Sequence, residues 1–102
     1  MAEYVAKRNP SMVPMHPGVL VTEAVESLRM PVTKVADAIG ISRQHLYAIM
    51  NERKPVTPEV ATRLGKAFGN GPELWIRLQV AYDLWHARKS VDLSKVAKLK
   101  AA

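Results

Sequence analysis

Apolar residues in this chain recur three and four positions apart, the spacing of one face of an α-helix. Nowhere do they alternate with polar residues for long enough to make a convincing strand. In "HPGVLVTEAVESLRM", Leu20, Val21, Ala24, Val25 and Leu28 share one side, with Pro17 in the first turn. Met30-Pro31 ends that pattern, because proline pushes the residue before it out of the helical region. "VTKVADAIG" follows, with Val35, Ala36 and Ile39 on one face and Gly40 suited to a left-handed helix end. Ser42 is a good N-cap for a third helix whose inward stripe is Leu46, Ile49 and Met50. After the loop "NERKPV", the run Thr57-Pro58-Glu59 supplies a cap, a first-turn proline and an acid favoured by the helix dipole. A fourth helix is predicted from there through Val60, Leu64 and Ala67 to Gly69. Pro72 and Glu73 open a fifth, running to about Lys89 and carrying Leu74, Trp75, Leu78, Ala81, Tyr82 and Trp85.

This pattern predicts an all-α fold, a compact five-helix domain over residues 16–89. Residues 1–15, with two prolines and no periodicity, read as an N-terminal arm without regular structure. Residues 90–102 form a basic tail in which Val91, Leu93, Val96 and Leu99 are interspersed with Lys95, Lys98 and Lys100. Either a short amphipathic helix or a frayed end fits that tail.

The second and third helices make a recognisable corner. Two helices crossing at about 90–120° touch most closely at one point, where only a small side chain such as Ala36 fits. The reversal needs a positive φ, which Gly40 adopts without a Cβ penalty. Ile41, Leu46 and Ile49 then pin the second helix onto the first. That is the grammar of a helix-turn-helix, with a recognition helix at about residues 42–51 whose N-terminal end would enter a DNA major groove. A plain αα-corner shares part of this grammar, so the outward face decides.

With Leu46, Ile49 and Met50 turned inward, Arg43, Gln44, Tyr47 and Asn51 fall together outside, three and four residues apart. A solvated helix face usually favours Glu and Lys; this one has neither at those four positions. Arg can bond guanine O6 and N7 in a bidentate manner, and Gln can do the same with adenine N6 and N7. Ser42 and the open N–H groups of the helix start suit a phosphate. Tyr47 suits a thymine methyl or a phosphate, and His45 a grazing phosphate contact. Asn51, Arg53 and Lys54 suit backbone oxygens flanking the groove, and Thr33 the neighbouring phosphate.

Charge agrees with an anionic partner. The 102 residues hold 15 Lys plus Arg against 9 Asp plus Glu, a net charge of +6. There is no cysteine, hence no disulfide framework, thiolate metal site or thiol nucleophile. No apolar run approaches the roughly 18 residues needed to span a bilayer. The first residues lack a signal-peptide hydrophobic region, so a cytoplasmic setting without membrane attachment is expected. His16, His45 and His86 show no metal-ligand spacing, and neither metal nor cofactor is expected; His16 suits a cap or packing role at the start of the first helix. Asp83 and His86 stand one turn apart, a spacing open to acid–base work, yet no nucleophile or phosphate-cradling loop accompanies them. The composition offers no catalytic site, and no enzyme is expected. Trp75, Leu78, Tyr82 and Trp85 follow helical spacing on the fifth helix; core packing explains such a stripe, and a dimer or partner surface is the alternative.

Three segments together resemble the HigA-type antitoxins of bacterial toxin–antitoxin modules, small relatives of phage-repressor and Cro-like (XRE-type) helix-turn-helix proteins. They are "MHPGVLVTEAV", "VADAIGISRQHLYAIMNERKPVTPEVATRLGKAFG" and "GPELWIRLQVAYDLWHAR", spanning roughly residues 15–88. A generic repressor would share only the middle one. The resemblance implies a lambda-repressor-like domain that forms a homodimer and binds a palindromic double-stranded operator in its own promoter. It also implies neutralisation of a HigB-type, mRNA-cleaving toxin by direct binding. Two positions depart from the family pattern: Pro31 stands where a Ser cap is common, and Gly71 where Ser or Thr is common before Pro-Glu. A phage-type repressor without a toxin partner, or a toxin-occluding protein with little DNA binding, are the alternatives.

Overall fold

The computed structural model describes residues 13–101. Most of the arm expected over residues 1–15 therefore lies outside the described residues, and residues 13–15 precede the first helix without regular structure. Among the described residues there are five helices and no strand: α1 (Pro17–Leu28), α2 (Val32–Ile39), α3 (Arg43–Met50), α4 (Pro58–Phe68) and α5 (Pro72–Ser90).

Three of the five helices start on a side chain that accepts one of the first open N–H groups. His16 caps α1, its imidazole Nδ1 accepting from the Gly18 N–H at 2.8 Å. Ser42 caps α3 and Thr57 caps α4 through their hydroxyl oxygens. The two departures from the family pattern have different solutions. Pro31 has no capping side chain, and its carbonyl takes both the Lys34 and the Val35 N–H, at 3.0 and 3.2 Å. Gly71 has φ 77° and ψ 163°, a backbone conformation that side chains such as Ser or Thr resist. Chain reversal rather than side-chain capping decides that position.

The core is a cluster of mostly aliphatic residues, with one tryptophan, drawn from every helix. Val21 and Val25 come from α1, Val35, Ala36 and Ile39 from α2, and Leu46 and Ile49 from α3. Val56 precedes α4, which adds Val60, Ala61 and Leu64, and Trp75 comes from α5. Helix α5 packs chiefly along α4, while α1 and α2 close over α3. Gly40 ends α2 at φ 88°, with Ala36 only 1% exposed beneath the corner, as the spacing predicted.

Two expectations need correction, and one open alternative is resolved. Leu28 is exposed, because the last turn of α1 projects beyond the core and ends at Arg29 in a left-handed conformation. Ala67 is exposed too; the buried side of α4 is Val60, Ala61, Leu64 and Gly65. The tail beyond Ser90 has no helix among residues 91–101, only a turn closed by the Val96 N–H on the Leu93 carbonyl. Its apolar residues are too few and too scattered to find a face of the core to cover.

One close approach controls how α1 meets α3. A Cβ on Gly18 would overlap the carbonyl oxygen of Ile49. One turn further along α1, the Thr22 hydroxyl donates to the Gly18 carbonyl at 2.9 Å and lies 3.3 Å from the Met50 carbonyl oxygen. Replacing Gly18 with Ala must therefore push α1 away from the end of α3. The expected loss is about 1–3 kcal/mol, as for other overpacked sites. A urea midpoint equal to that of the wild type would contradict this contact.

Candidate nucleic-acid interface

Helix α3 has eight residues, too short to persist alone in water. Its inward side chains hold it in place: Leu46 and Ile49 are wholly buried, each worth about 1.5–3 kcal/mol. What remains outside is the face anticipated from the spacing. Arg43, Gln44, Tyr47 and Asn51 are all exposed, and Met50 is half-buried. No acidic residue occurs between Ala38 and Asn51.

Ser42, Gln44, His45, Ala48 and Lys54 line one shallow cleft beside the N-terminal end of α3. The Ser42 hydroxyl oxygen already accepts from the His45 N–H at 3.0 Å, and the Leu46 N–H returns to the Ser42 carbonyl. The donors still open at this end are thus the Arg43 and Gln44 N–H groups and the Ser42 O–H. Thr33 is exposed in the first turn of α2.

The loop after α3 is built by a left-handed residue. Glu52 has φ 63°; its N–H reaches the Ile49 carbonyl at 3.0 Å, and the Arg53 N–H reaches the Ala48 carbonyl at 2.8 Å. This pair of bonds is a Schellman ending with Glu in the place usually taken by Gly. It turns Arg53 and Lys54 out into solvent beside the recognition helix.

Behind the loop lies a polar cluster that spacing alone did not disclose. Gln79, only 6% exposed, accepts the Val56 N–H on Oε1 at 2.7 Å and donates from Nε2 to Asp83 at 2.9 Å. Next to it the buried His16 ring meets Tyr82 edge-on, with centroids 4.8 Å apart. A cleft of about 310 Å³ separates this cluster from Glu52, Arg53 and Lys54. Burial pushes the His16 imidazole below its ordinary value of 6.5, and the nearby Glu52 and Asp83 carboxylates offset part of that.

The aromatic stripe expected as core or as a dimer or partner surface on α5 divides. Trp75 is 1% exposed, with its indole N–H on Asn70, so it belongs to the core rather than to a surface. Leu78, Tyr82 and Trp85 are half-buried, and Lys89 lies over the Trp85 ring at 4.8 Å. The exposed apolar line on this helix is Val80 and Leu84, continued by Val91 beyond its end. Three further residues gain roles that sequence reasoning missed. Gly18 is a contact point, Gln79 a buried bridge, and Arg63 donates to the Ile39 carbonyl at the end of α2 while paired with Glu59. For Gln79 a signal existed: it lies four residues after Trp75, on the buried stripe of the helix, where a polar side chain needs partners.

With this geometry known, comparison with other proteins gives a consistent answer. The family model described as Helix-turn-helix matches residues 22–76, more than half of the chain. Virulence-associated protein A' of Dichelobacter nodosus is 38% identical over 72 residues, covering 70% of this chain and 63% of that one. The match thus spans less than two thirds of that relative's length. An addiction module antidote protein of a HigA family from Coxiella burnetii is 34% identical with a TM-score of 0.76, covering 87% of this chain and 100% of that one. The chain belongs to the HigA-type helix-turn-helix family. The Pseudomonas aeruginosa antitoxin HigA, solved with the higBA promoter, superposes with a TM-score of 0.71 at 27% identity, covering 76% of this chain and 85% of that one.

The two outer segments that carry the HigA resemblance meet in space: His16 comes from "HPG", and Gln79, Tyr82 and Asp83 come from "LQVAYD". His16 is expected to make the fold of this HigA-type chain sensitive to acid. The unfolded imidazole takes up a proton near 6.5, whereas the folded ring resists it, so the unfolded state binds more protons. Stability is expected to be full above pH 6.5 and to fall as pH drops below it toward the depressed folded value. Replacing His16 with Asn keeps a capping acceptor without the titration. Its urea midpoints between about pH 7.5 and 5 should fall less steeply than those of the wild type. Equal slopes would count against this origin.

Proposed function

We propose that this chain is a sequence-specific DNA-binding antitoxin that represses the promoter of its own toxin–antitoxin operon. It also neutralises a cognate HigB-type, mRNA-cleaving toxin by direct binding. The observation that carries the reading is the outer face of α3, polar, free of acids, and presented by a helix held in place from behind. Residues 16–89 form the DNA-binding unit, and residues 90–102 a solvated basic end.

In this reading Arg43 and Gln44 lead the helix into the major groove and read guanine and adenine by bidentate bonds. Ser42 and the two open N–H groups beside it take a phosphate, with His45 and Thr33 touching the backbone nearby. Tyr47 meets a thymine methyl or a phosphate, and Asn51, Arg53 and Lys54 hold backbone oxygens past the groove edge. One recognition helix buries too little surface for tight binding, so a homodimer presents two, about 34–36 Å apart, to a palindromic operator. The exposed Val80 and Leu84, flanked by the half-buried Leu78, Tyr82 and Trp85, support α5 as the dimer or partner surface. The setting is the bacterial cytoplasm, with the dimer on nucleoid DNA when the operator is occupied.

Band-shift titration on the DNA upstream of its own gene, against random DNA, tests the reading. Arg43→Ala or Gln44→Ala should reduce the discrimination by about 1–3 kcal/mol per bidentate pair removed. Lys54→Ala should instead weaken both DNAs alike and flatten the salt dependence. Equal losses on both DNAs for Arg43→Ala would remove Arg43 from base readout. Failure of the chain to co-purify with the product of the adjacent gene would remove the antitoxin half of the proposal.

A further inference from the structure

We infer that Gln79 is a positioning residue for DNA binding: from α5 it sets the loop that carries Arg53 and Lys54 against the DNA backbone. This rests on the DNA-binding reading above and assigns a role to a side chain that never touches the DNA.

The loop between α3 and α4 is tied at its two ends by different means. Its entry belongs to α3, through the N–H groups of Glu52, Arg53 and Lys54, which bond Ile49 and Ala48 carbonyls. At its exit Pro55 has no N–H to give, so the next backbone donor is Val56. Val56 is 1% exposed, and its N–H is shut off from water. The acceptor that replaces water is Gln79 Oε1, 23 residues further along the chain, at 2.7 Å. Lys54 and Arg53 lie two and three residues before this anchor, with the restricted φ of Pro55 between. A shift of the anchor is therefore transmitted to both cations instead of being absorbed by a flexible linker.

Asp83 determines which way the Gln79 amide points. Its Oδ1 accepts from Gln79 Nε2 at 2.9 Å. Were the amide reversed, its NH2 would face the Val56 donor and its oxygen would face the carboxylate, and neither bond could form. The pair thus acts as one bracket, Val56 N–H to Gln79 to Asp83, between the cationic loop and α5. Side chains that only filled space at position 79 would leave the Val56 donor without an acceptor.

The test compares three proteins, each the full 102-residue chain, in binding to their own upstream DNA across a series of potassium chloride concentrations. They are the wild type, Gln79→Glu, and Gln79→Glu combined with Asp83→Asn. The single variant retains an acceptor but sets a second carboxylate against Asp83, which drives the bracket apart. The double variant restores it with the second bond reversed, since Asn can donate to Glu. The single variant is expected to bind roughly tenfold or more weakly near physiological salt. Its log–log salt slope should be shallower by about 0.9 for each phosphate that is no longer neutralised. The double variant is expected to regain both the affinity and the slope. Thermal melts report folding separately, and binding is measured well below every midpoint. A Gln79→Glu protein that melts earlier yet keeps the wild-type slope and affinity would overturn the role, leaving Gln79 a purely structural bond. So would a folded double variant that stays as shallow as the single one. Salt-independent or absent binding by the wild type would instead overturn the DNA-binding reading on which the role depends.

Discussion

Burial of Leu46 and Ile49 is the interaction on which the rest of this molecule depends. Helix α3 has eight residues, and its own hydrogen bonds cannot sustain it in water. Those two side chains fasten it beneath α1 and α2, and in doing so turn the polar residues of the helix outward together. The corner at Gly40 and the small Ala36 beneath it allow the helices to approach, and the carbonyl of Ile49 against Gly18 limits how far α1 can move. A surface that reads as a set of polar residues is thus a consequence of what lies behind it. Change the packing and the probe changes direction, even with each outward side chain intact.

Polar groups inside the fold follow the same logic. A small all-helical core has few ways to satisfy a buried donor, and here two neighbouring side chains perform that task. His16 takes the Gly18 N–H at the start of α1, and Gln79 takes the Val56 N–H at the exit of the α3–α4 loop. The rings of His16 and Tyr82 join these two positions into one cluster behind the loop. The presence of ionisable and amide groups there, where an aliphatic residue would fill space as well, reflects donors that must be paired.

Much of the candidate site is legible in the sequence. The outward group Arg43, Gln44, Tyr47 and Asn51 follows from helical spacing once Leu46 and Ile49 are recognised as the buried pair, and all four are exposed. Caps at Ser42 and Thr57, the glycine at position 40 and the opening at Pro72 are local decisions of the backbone, so local sequence reveals them. Periodicity misleads where several faces compete. Ala67 and Leu28 match the period of a buried stripe, yet the partner helices do not extend over them. Trp75 fits either core or surface by spacing, because a large aromatic load on one helix cannot be divided between the two from its period alone.

What the sequence alone determined is therefore the set of elements and the outward face of α3: helix starts, helix ends and periodicity depend on residues within a turn of one another. Tertiary structure alone decided which contacts cross the fold. That Gly18 meets the Ile49 carbonyl, that Arg63 holds the end of α2, and that Gln79 receives Val56 across 23 residues are not implied by any local pattern. The physical reason is that such bonds depend on the packing angle between whole helices. That angle emerges from the combined shape of many side chains and not from the spacing of a few.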